Sequence, residues 1–266
     1  MKIWLVYDAF EAERNRRYID FYFEKCNEKN IDLLLVIVEE GIDFENLPDA
    51  AIVRTMNPEL SEKLESLGVK VYNSSFISRI ANDKWNTYCY LKDKNIRLPE
   101  TFLVTEDFTP PYYPMVLKPA GGKGGKDVEI VNSKDEFLAY KDRVKGRIIA
   151  QKVVSDKGKD LRVYVVGNRI IKGMLRVSEN DFRSNFCLGG KAVEYDLSQW
   201  EKYEIQKVID QFDIAYAGLD FIFDEGKIIF NEMEDVVGAR MLYTYTDIDI
   251  VDIYLNFIIA HTVLTK

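Results

Sequence analysis

The sequence predicts an α/β chain that grades into α+β, folded as three lobes. Three observations carry this. Residues 1–80 alternate short apolar runs with helical periods, a β-α-β rhythm that indicates a parallel sheet with helices on its faces. Beyond residue 100, strands meet in pairs across glycine turns. No stretch repeats and none is of low complexity.

The elements follow in order. Lys2–Tyr7 reads as a short buried strand. Residues 11–29 carry apolar Tyr18, Phe21, Tyr22 and Cys26 at near-helical spacing. Strands are predicted at 32–38, 50–54 and 69–72, with a helix at 58–67 that ends at Gly68. Asn82 and Asp83 can cap a helix to about Lys94. Leu98-Pro99 breaks it. Strands follow at 101–104, 115–118, 128–131 and 148–154, with a helix at 133–142. The last third holds strands at 161–166, 169–176, 217–223 and 227–232. A helix is expected near 199–212 and a closing one from about 247, with Asp247 and Asp249 as its caps. The predicted lobes are 1–82, 83–154 and 155–266.

Composition removes several functions. The chain has 266 residues, 47% hydrophobic and 30% charged, with net charge −8. Neither nucleic acid nor an anionic membrane favours an acidic partner. The longest aliphatic run, Leu33 to Val38, has the length of a strand. The apolar run from Ile3 stops at Asp8, too short for a secretory signal, so a cytoplasmic protein is expected. Cys26, Cys89 and Cys187 are widely spaced and form no CxxC, against a disulfide framework or structural zinc. His261 is the only histidine. Any histidine-based triad or metal site would rest on it alone, so chemistry must run on carboxylates, lysines and arginines.

Four stretches can carry that chemistry. The run Lys118-Pro-Ala-Gly-Gly-Lys-Gly-Gly-Lys-Asp-Val128 places glycines 121, 122, 124 and 125 between two strands. Their N–H groups could approach an anion, with charge from Lys118 and Lys123. The P-loop, kinase and dinucleotide patterns all fail here, at Ala120 or Asp127. A solvated hairpin is the plain alternative. Next, a hairpin turning at 224–226 brings Asp220 and Glu232 together inside apolar strands, and Glu234 adds an oxygen on the same face. Such acids suit a hard cation, or else pair with lysine. Third, Arg176 precedes Asp181-Phe-Arg183-Ser-Asn185 and Gly189-Gly190, a loop suited to a carboxylate or a phosphoryl group, or simply a polar surface loop. Fourth, Asp160-Leu-Arg162 puts opposite charges on one strand face, more often a structural salt bridge. Arg54, ending a strand, reads as a surface ion pair more readily than a substrate contact. Arg240 is a further candidate for a substrate carboxylate.

Taken in order, these motifs resemble the ATP-grasp superfamily, in its RimK-like branch of ribosomal-protein glutamate ligases. The resemblance runs through Asn82-Asp-Lys84, Leu98-Pro-Glu-Thr101, Val116-Leu-Lys-Pro119, Asp160-Leu-Arg162, Asp181 to Asn185, Gly218-Leu-Asp220 and Glu232-x-Glu234-x-x-x-Gly238. It implies an ATP-grasp fold: a Rossmann-like lobe, then two α+β lobes clamping ATP. It implies Lys84 and Lys118 on the α- and β-phosphates. Gly122, Lys123, Gly124 and Gly125 would cover them, and Gln151, Lys152, Val153 and Val154 would read adenine. Asp160 and Arg162 join the nucleotide-binding set. Asp220, Glu232 and Glu234 would hold two magnesium ions, for which manganese could substitute. Arg183 and Asn185 would face the transferring phosphoryl, and Arg162 and Arg176 the acceptor. The implied enzyme is an ADP-forming carboxylate–amine ligase working through an acyl phosphate on an amino acid or peptide. Homo-oligomerisation is compatible with it.

The chain departs from the family pattern in places. Glu234 stands where the family has asparagine, Val237 where it has proline, and Lys152 where it has glutamate. Lys123 replaces a serine or threonine. The alternatives are a peptide-modifying ligase, a non-catalytic ATP-binding module, and phosphoryl transfer without ligation.

Overall fold

The structure, a computed structural model, describes residues 1–122, 124–178 and 191–263. The first part begins with β1 (Lys2–Tyr7), α1 (Ala9–Arg14), α2 (Arg16–Glu28) and β2 (Asp32–Ile37). It continues with β3 (Ala50–Val53), α3 (Pro58–Ser66), β4 (Lys70–Tyr72), α4 (Ser75–Ala81) and α5 (Lys84–Leu91). The strands form a parallel sheet of order β2-β1-β3-β4. β1 is central and its residues Ile3 to Tyr7 are all buried, as a strand covered on both faces must be. Short polar side chains start the helices. Asp8, Asn57, Ser74 and Asp83 each accept an orphan N–H of the first turn.

The middle part holds β5 (Thr101–Val104), β6 (Met115–Pro119), β7 (Glu129–Val131), α6 (Lys134–Arg143) and β8 (Ile148–Lys152). Its sheet is antiparallel, of order β5-β8-β6-β7, and packs its own core around Leu117, Phe137 and Tyr140. The last part holds β9 (Asp156–Val166), β10 (Arg169–Val177), β11 (Lys191–Tyr195), α7 (Gln199–Ile209), β12 (Tyr216–Asp224) and β13 (Lys227–Glu234). α8 (Arg240–Tyr245) and α9 (Ile250–Val263) close the chain. This sheet runs β11-β10-β9-β12-β13, again antiparallel.

Three differences from expectation have physical causes. The predicted helix at 11–29 is two helices, because Asn15 leaves helical geometry (φ −106°, ψ 18°) and turns its side chain back to the Glu11 carbonyl. α4 and α8 were not predicted: each is under two turns or close to it and too short to show a period. The strand ending the middle part stops at Lys152, so Val153 and Val154 lie beyond it.

The first and last parts share one core. Ile3, Leu5 and Tyr22 pack with Tyr164, Tyr216, Val237 and Tyr254. α9 returns onto α2 through Lys25–Asp249 at 3.3 Å and Lys29–Asp252 at 2.7 Å. Asp249 caps α9, accepting from the Asp252 N–H at 3.1 Å. Among the described residues no helix is long and apolar enough to cross a membrane.

Candidate active site

The middle sheet and the last sheet face each other across a cleft that is open to solvent and holds about 140 Å³ accessible to water. One wall is β6, the glycine turn and the end of β8; the other is β9, β12 and β13.

Lys84 enters this cleft because its backbone is tied to the glycine turn. Its N–H donates to the Ala120 carbonyl at 2.8 Å, beside an Asp83–Gly121 bridge. Its Nζ donates to the Gly122 carbonyl at 2.8 Å and pairs with Glu232 at 3.1 Å. Gly122, Gly124 and Gly125 have φ of 126°, 73° and 71°, a region closed to most side chains. All three glycines line the cleft. Lys123 lies outside the described residues.

Lys118 stands on β6 and is 5% exposed. Its Nζ donates to Asn231 Oδ1 at 2.9 Å. Burial lowers its pKa to about 8, against the opposing pull of Glu232. At the end of β8, Gln151 is buried and donates to Thr101 Oγ1 at 2.9 Å, while Lys152 is exposed. Val153 and Val154 line the cleft beside them.

The acidic strands meet as the hairpin predicted, with one shift. Regular pairing from Asp224–Lys227 would set Asn231 opposite Asp220. A bulge sets Glu232 there instead. Asn231 and Glu232 then both oppose one residue and both face the cleft. Oxygens of Asp220, Glu232 and Glu234 lie within 4.8 Å of one another. Asp220 is 2% exposed.

Arginines hold these acids. Arg162 grips Asp220 with two bonds, Nε to Oδ1 at 2.7 Å and Nη2 to Oδ2 at 2.6 Å, and reaches Glu234 at 2.7 Å. Arg176 binds Asp160 through Nε and Nη2 and reaches Asp220 Oδ2 at 2.8 Å. Asp160 and Arg162 are therefore not paired with each other. Each pairs across to a neighbouring strand, where side chains stand closer than two positions apart on one strand. The two guanidinium groups hold Asp220 well below the usual carboxylate range, against its burial. The lysines hold Glu232 down, whereas burial outweighs Arg162 at Glu234 and Arg176 at Asp160 and pushes both up. Lys84, Lys118, Arg162 and Arg176 balance four carboxylates, and Lys126, Lys152, Lys157 and Lys159 against Asp156 leave the cleft lining positive.

These oxygens fit a hard divalent cation: three carboxylates converge, with no nitrogen or sulfur donor among them. Magnesium takes few carboxylates and completes its shell with water and phosphate. The lysines and the glycine turn fit a polyphosphate.

Of the other predicted residues, Arg183, Asn185, Gly189 and Gly190 lie outside the described residues. Arg54 is not on the surface. It is 4% exposed and donates to Tyr7 Oη and the Val237 carbonyl, both at 2.9 Å. The loop after β13 covers it, and nothing local to residue 54 announces that cover. Arg240 opens α8 and is exposed. Asn231 was missed. Its signal was the broken alternation at Phe230-Asn-Glu232, where a core phenylalanine and a cleft acid stand two apart.

Three parts around a cleft of this kind form the fold of the ATP-grasp ligases, and the chain is an enzyme of that class. Within it, the chain belongs to the RimK-like ATP-grasp family, whose model matches residues 81–258. It is similar to the uncharacterized protein MG011 of Mycoplasma genitalium, 27% identical over 100% of this chain and 93% of that one. It is also similar to a probable alpha-L-glutamate ligase of Pasteurella multocida, 28% identical over 70% of this chain and 63% of that one. In fold it matches the ATP-grasp ligase PsnB complexed with minimal precursor, Mg and ADP. That TM-score is 0.73 at 16% identity, covering 98% of this chain and 97% of that one.

Proposed function

We propose that this enzyme is an ADP-forming carboxylate–amine ligase that acts on an amino acid or peptide through an acyl phosphate. One observation carries the reading: Asp220, Glu232 and Glu234 converge, and Glu232 lines the same cleft that Lys84 and Lys118 enter. Cation ligands and phosphate ligands thus share one site.

Lys84 and Lys118 would hold the nucleotide phosphates, and Gly122 to Gly125 would cover them. The backbone from Gln151 to Val154 would read adenine. Asp220, Glu232 and Glu234 would hold magnesium, which supplies charge that offsets repulsion between the attacking carboxylate and the phosphates. A carboxylate oxygen attacks the γ-phosphorus and ADP leaves. The amine attacks the acyl carbon, phosphate leaves, and an amide remains. Closure of the glycine turn keeps water from the intermediate. The sequence assigns Arg183 and Asn185 to the transferring phosphoryl. Arg162 and Arg176 set the orientation of Asp220 and so act through it.

The similarity to a probable alpha-L-glutamate ligase favours an amino acid as one substrate. The match to PsnB with its precursor supports a peptide as the second reading. A non-catalytic module finds its support in Glu234, tied to Arg162 rather than left open. The test is ATP consumption with magnesium over pooled amino acids and peptides. ADP release that requires a substrate pair, with a product one water lighter than the pair, supports ligation. ATP turnover with no amide, or nucleotide binding with no turnover in any pool, contradicts it.

A further inference from the structure

The N-terminal sheet ends on a set of buried polar groups that the phosphate chemistry does not use. In the order β2-β1-β3-β4 the chain runs outward to one side from β1 and to the other from β3. Ligands of open parallel sheets bind outside the carboxyl ends of the strands at such a reversal. The residues at those two ends are Tyr7, closing β1, and Arg54, following β3.

Arg54 is a buried cation in an unusual setting. Nε and Nη2 are used, on Tyr7 and on Val237. Among the described residues Nη1 makes no hydrogen bond, and no carboxylate comes within ion-pair distance of the guanidinium. Asp235 feels its charge without touching it. The rings of Tyr18 and Tyr7 lie 5.2 and 5.8 Å from it. Such ring contacts offset only part of the cost of burying an ion. The difference calls for an anion.

Phenolic donors surround the same point. The hydroxyls of Tyr22, Tyr18 and Tyr216 are buried and make no hydrogen bond of normal geometry, although Tyr18 and Tyr216 interact with each other. All three feel Arg54 or act on it. Buried polar groups are rarely left unsatisfied, so several around one cation mark a place for a ligand. The position also suits the reaction. Arg54 holds the carbonyl of Val237, three residues after Glu234 on the same chain. Three residues of chain span about 11 Å at most between Cα atoms, so the segment that Arg54 holds is close in the chain to the acids.

We propose that these groups form a carboxylate subsite, in which Arg54, with the hydroxyls of Tyr22 and Tyr18, anchors a substrate carboxylate that takes no part in bond formation. The proposal rests on the ligase reading for its substrate class. Arg162 and Arg176 are engaged with acids, which leaves Arg54 as the guanidinium without a carboxylate partner among the buried arginines described. Arg54 is thereby a specificity-determining residue for amino acids or peptides with a free carboxylate.

The experiment is calorimetric titration of the full chain, saturated with ADP and magnesium. The probes are L-glutamate, L-alanine and glycylglycine, each beside its C-terminal amide. At least one acid is expected to bind, with its amide weaker by about tenfold, as for loss of a charge-assisted contact. Arg54→Met should remove that preference and leave ADP affinity unchanged. Tyr22→Phe deletes one unpartnered hydroxyl and should weaken the acid several-fold in a protein that melts normally. It keeps the test decisive should the arginine variant not fold. Acid and amide binding alike, no acid binding at all, or an unaltered acid affinity in Tyr22→Phe and folded Arg54→Met would overturn the subsite. Binding needs no turnover, so the ligase reading fails separately, by the absence of any amide product.

Discussion

At Lys118, burial works against the charge that a phosphate site needs. Its folded pKa of about 8 lies below its ordinary value of 10.5, so the amine loses its proton early. The fold bears the cost of the charge at low pH and is relieved of it as pH rises from 8 toward 10.5. Binding runs the other way. ATP affinity should fall as pH rises through 8, and Lys118→Ala should weaken ATP about tenfold at neutral pH and flatten that slope. Calorimetry across the pH range checks both. Asp235 shows the converse. Burial raises its pKa from 3.8 to about 6, and its Oδ1 has no partner. Its cost is absent below 3.8, grows between the two values, and is full above 6. Asp235→Asn should therefore stabilise the fold by about 2 kcal/mol at pH 7.5 and by much less at pH 4.5, read from urea midpoints. Asp220 and Glu232 were legible in the sequence because charges inside apolar strands demand a partner. Arg54 was not: a charge after a strand looks the same whether solvent or a distant loop covers it.

The scale of elements explains the site's geometry better than any one side chain. The hairpin β12–β13 was legible from its turn at Asp224-Glu-Gly226, but its bulge was not. Turn chemistry fixes register near the turn, and the shift occurs only at Asp220. That shift decides which residues face the cleft. The cross-strand pairs Asp160–Arg176 and Arg162–Asp220 likewise depend on β9 lying between β10 and β12, an order that no local pattern encodes. Helix starts were more readable where a short polar residue stood out, as at Asp83, whose side chain caps α5. Ser198 forms a capping box with Glu201 at the start of α7, whose Ile205, Val208 and Ile209 fill the core beneath the last sheet. Ser198→Ala should lower stability by about 1 kcal/mol, seen in thermal melts, with ATP affinity unchanged.

For the whole molecule, the cleft lies between two separately packed bodies. The first and last sheets share a core, and the middle sheet has its own. Asn73 joins the first two: its Oδ1 accepts from the N–H of Ala215 and Tyr216 at 2.9 and 3.0 Å, and its Nδ2 donates to the Tyr216 carbonyl at 2.6 Å. Asn73→Ala leaves those buried groups unpaired and should cost on the order of 2–3 kcal/mol in urea unfolding. The parallel sheet and the paired strands were legible as a class from periodicity alone. The sharing of one core by residues far apart in the chain was not, because α9 must first return to the beginning.

The central claim is that carboxylate activation happens at the acids and lysines of the cleft. The most direct measurement uses a substrate whose carboxylate carries oxygen-18, with mass analysis of the phosphate released. An acyl phosphate hands one substrate oxygen to phosphate, so the account predicts singly labelled phosphate in step with amide formation, and none from Asp220→Asn. Unlabelled phosphate from an active enzyme would mean that water, not the carboxylate, attacks ATP, and would contradict the account.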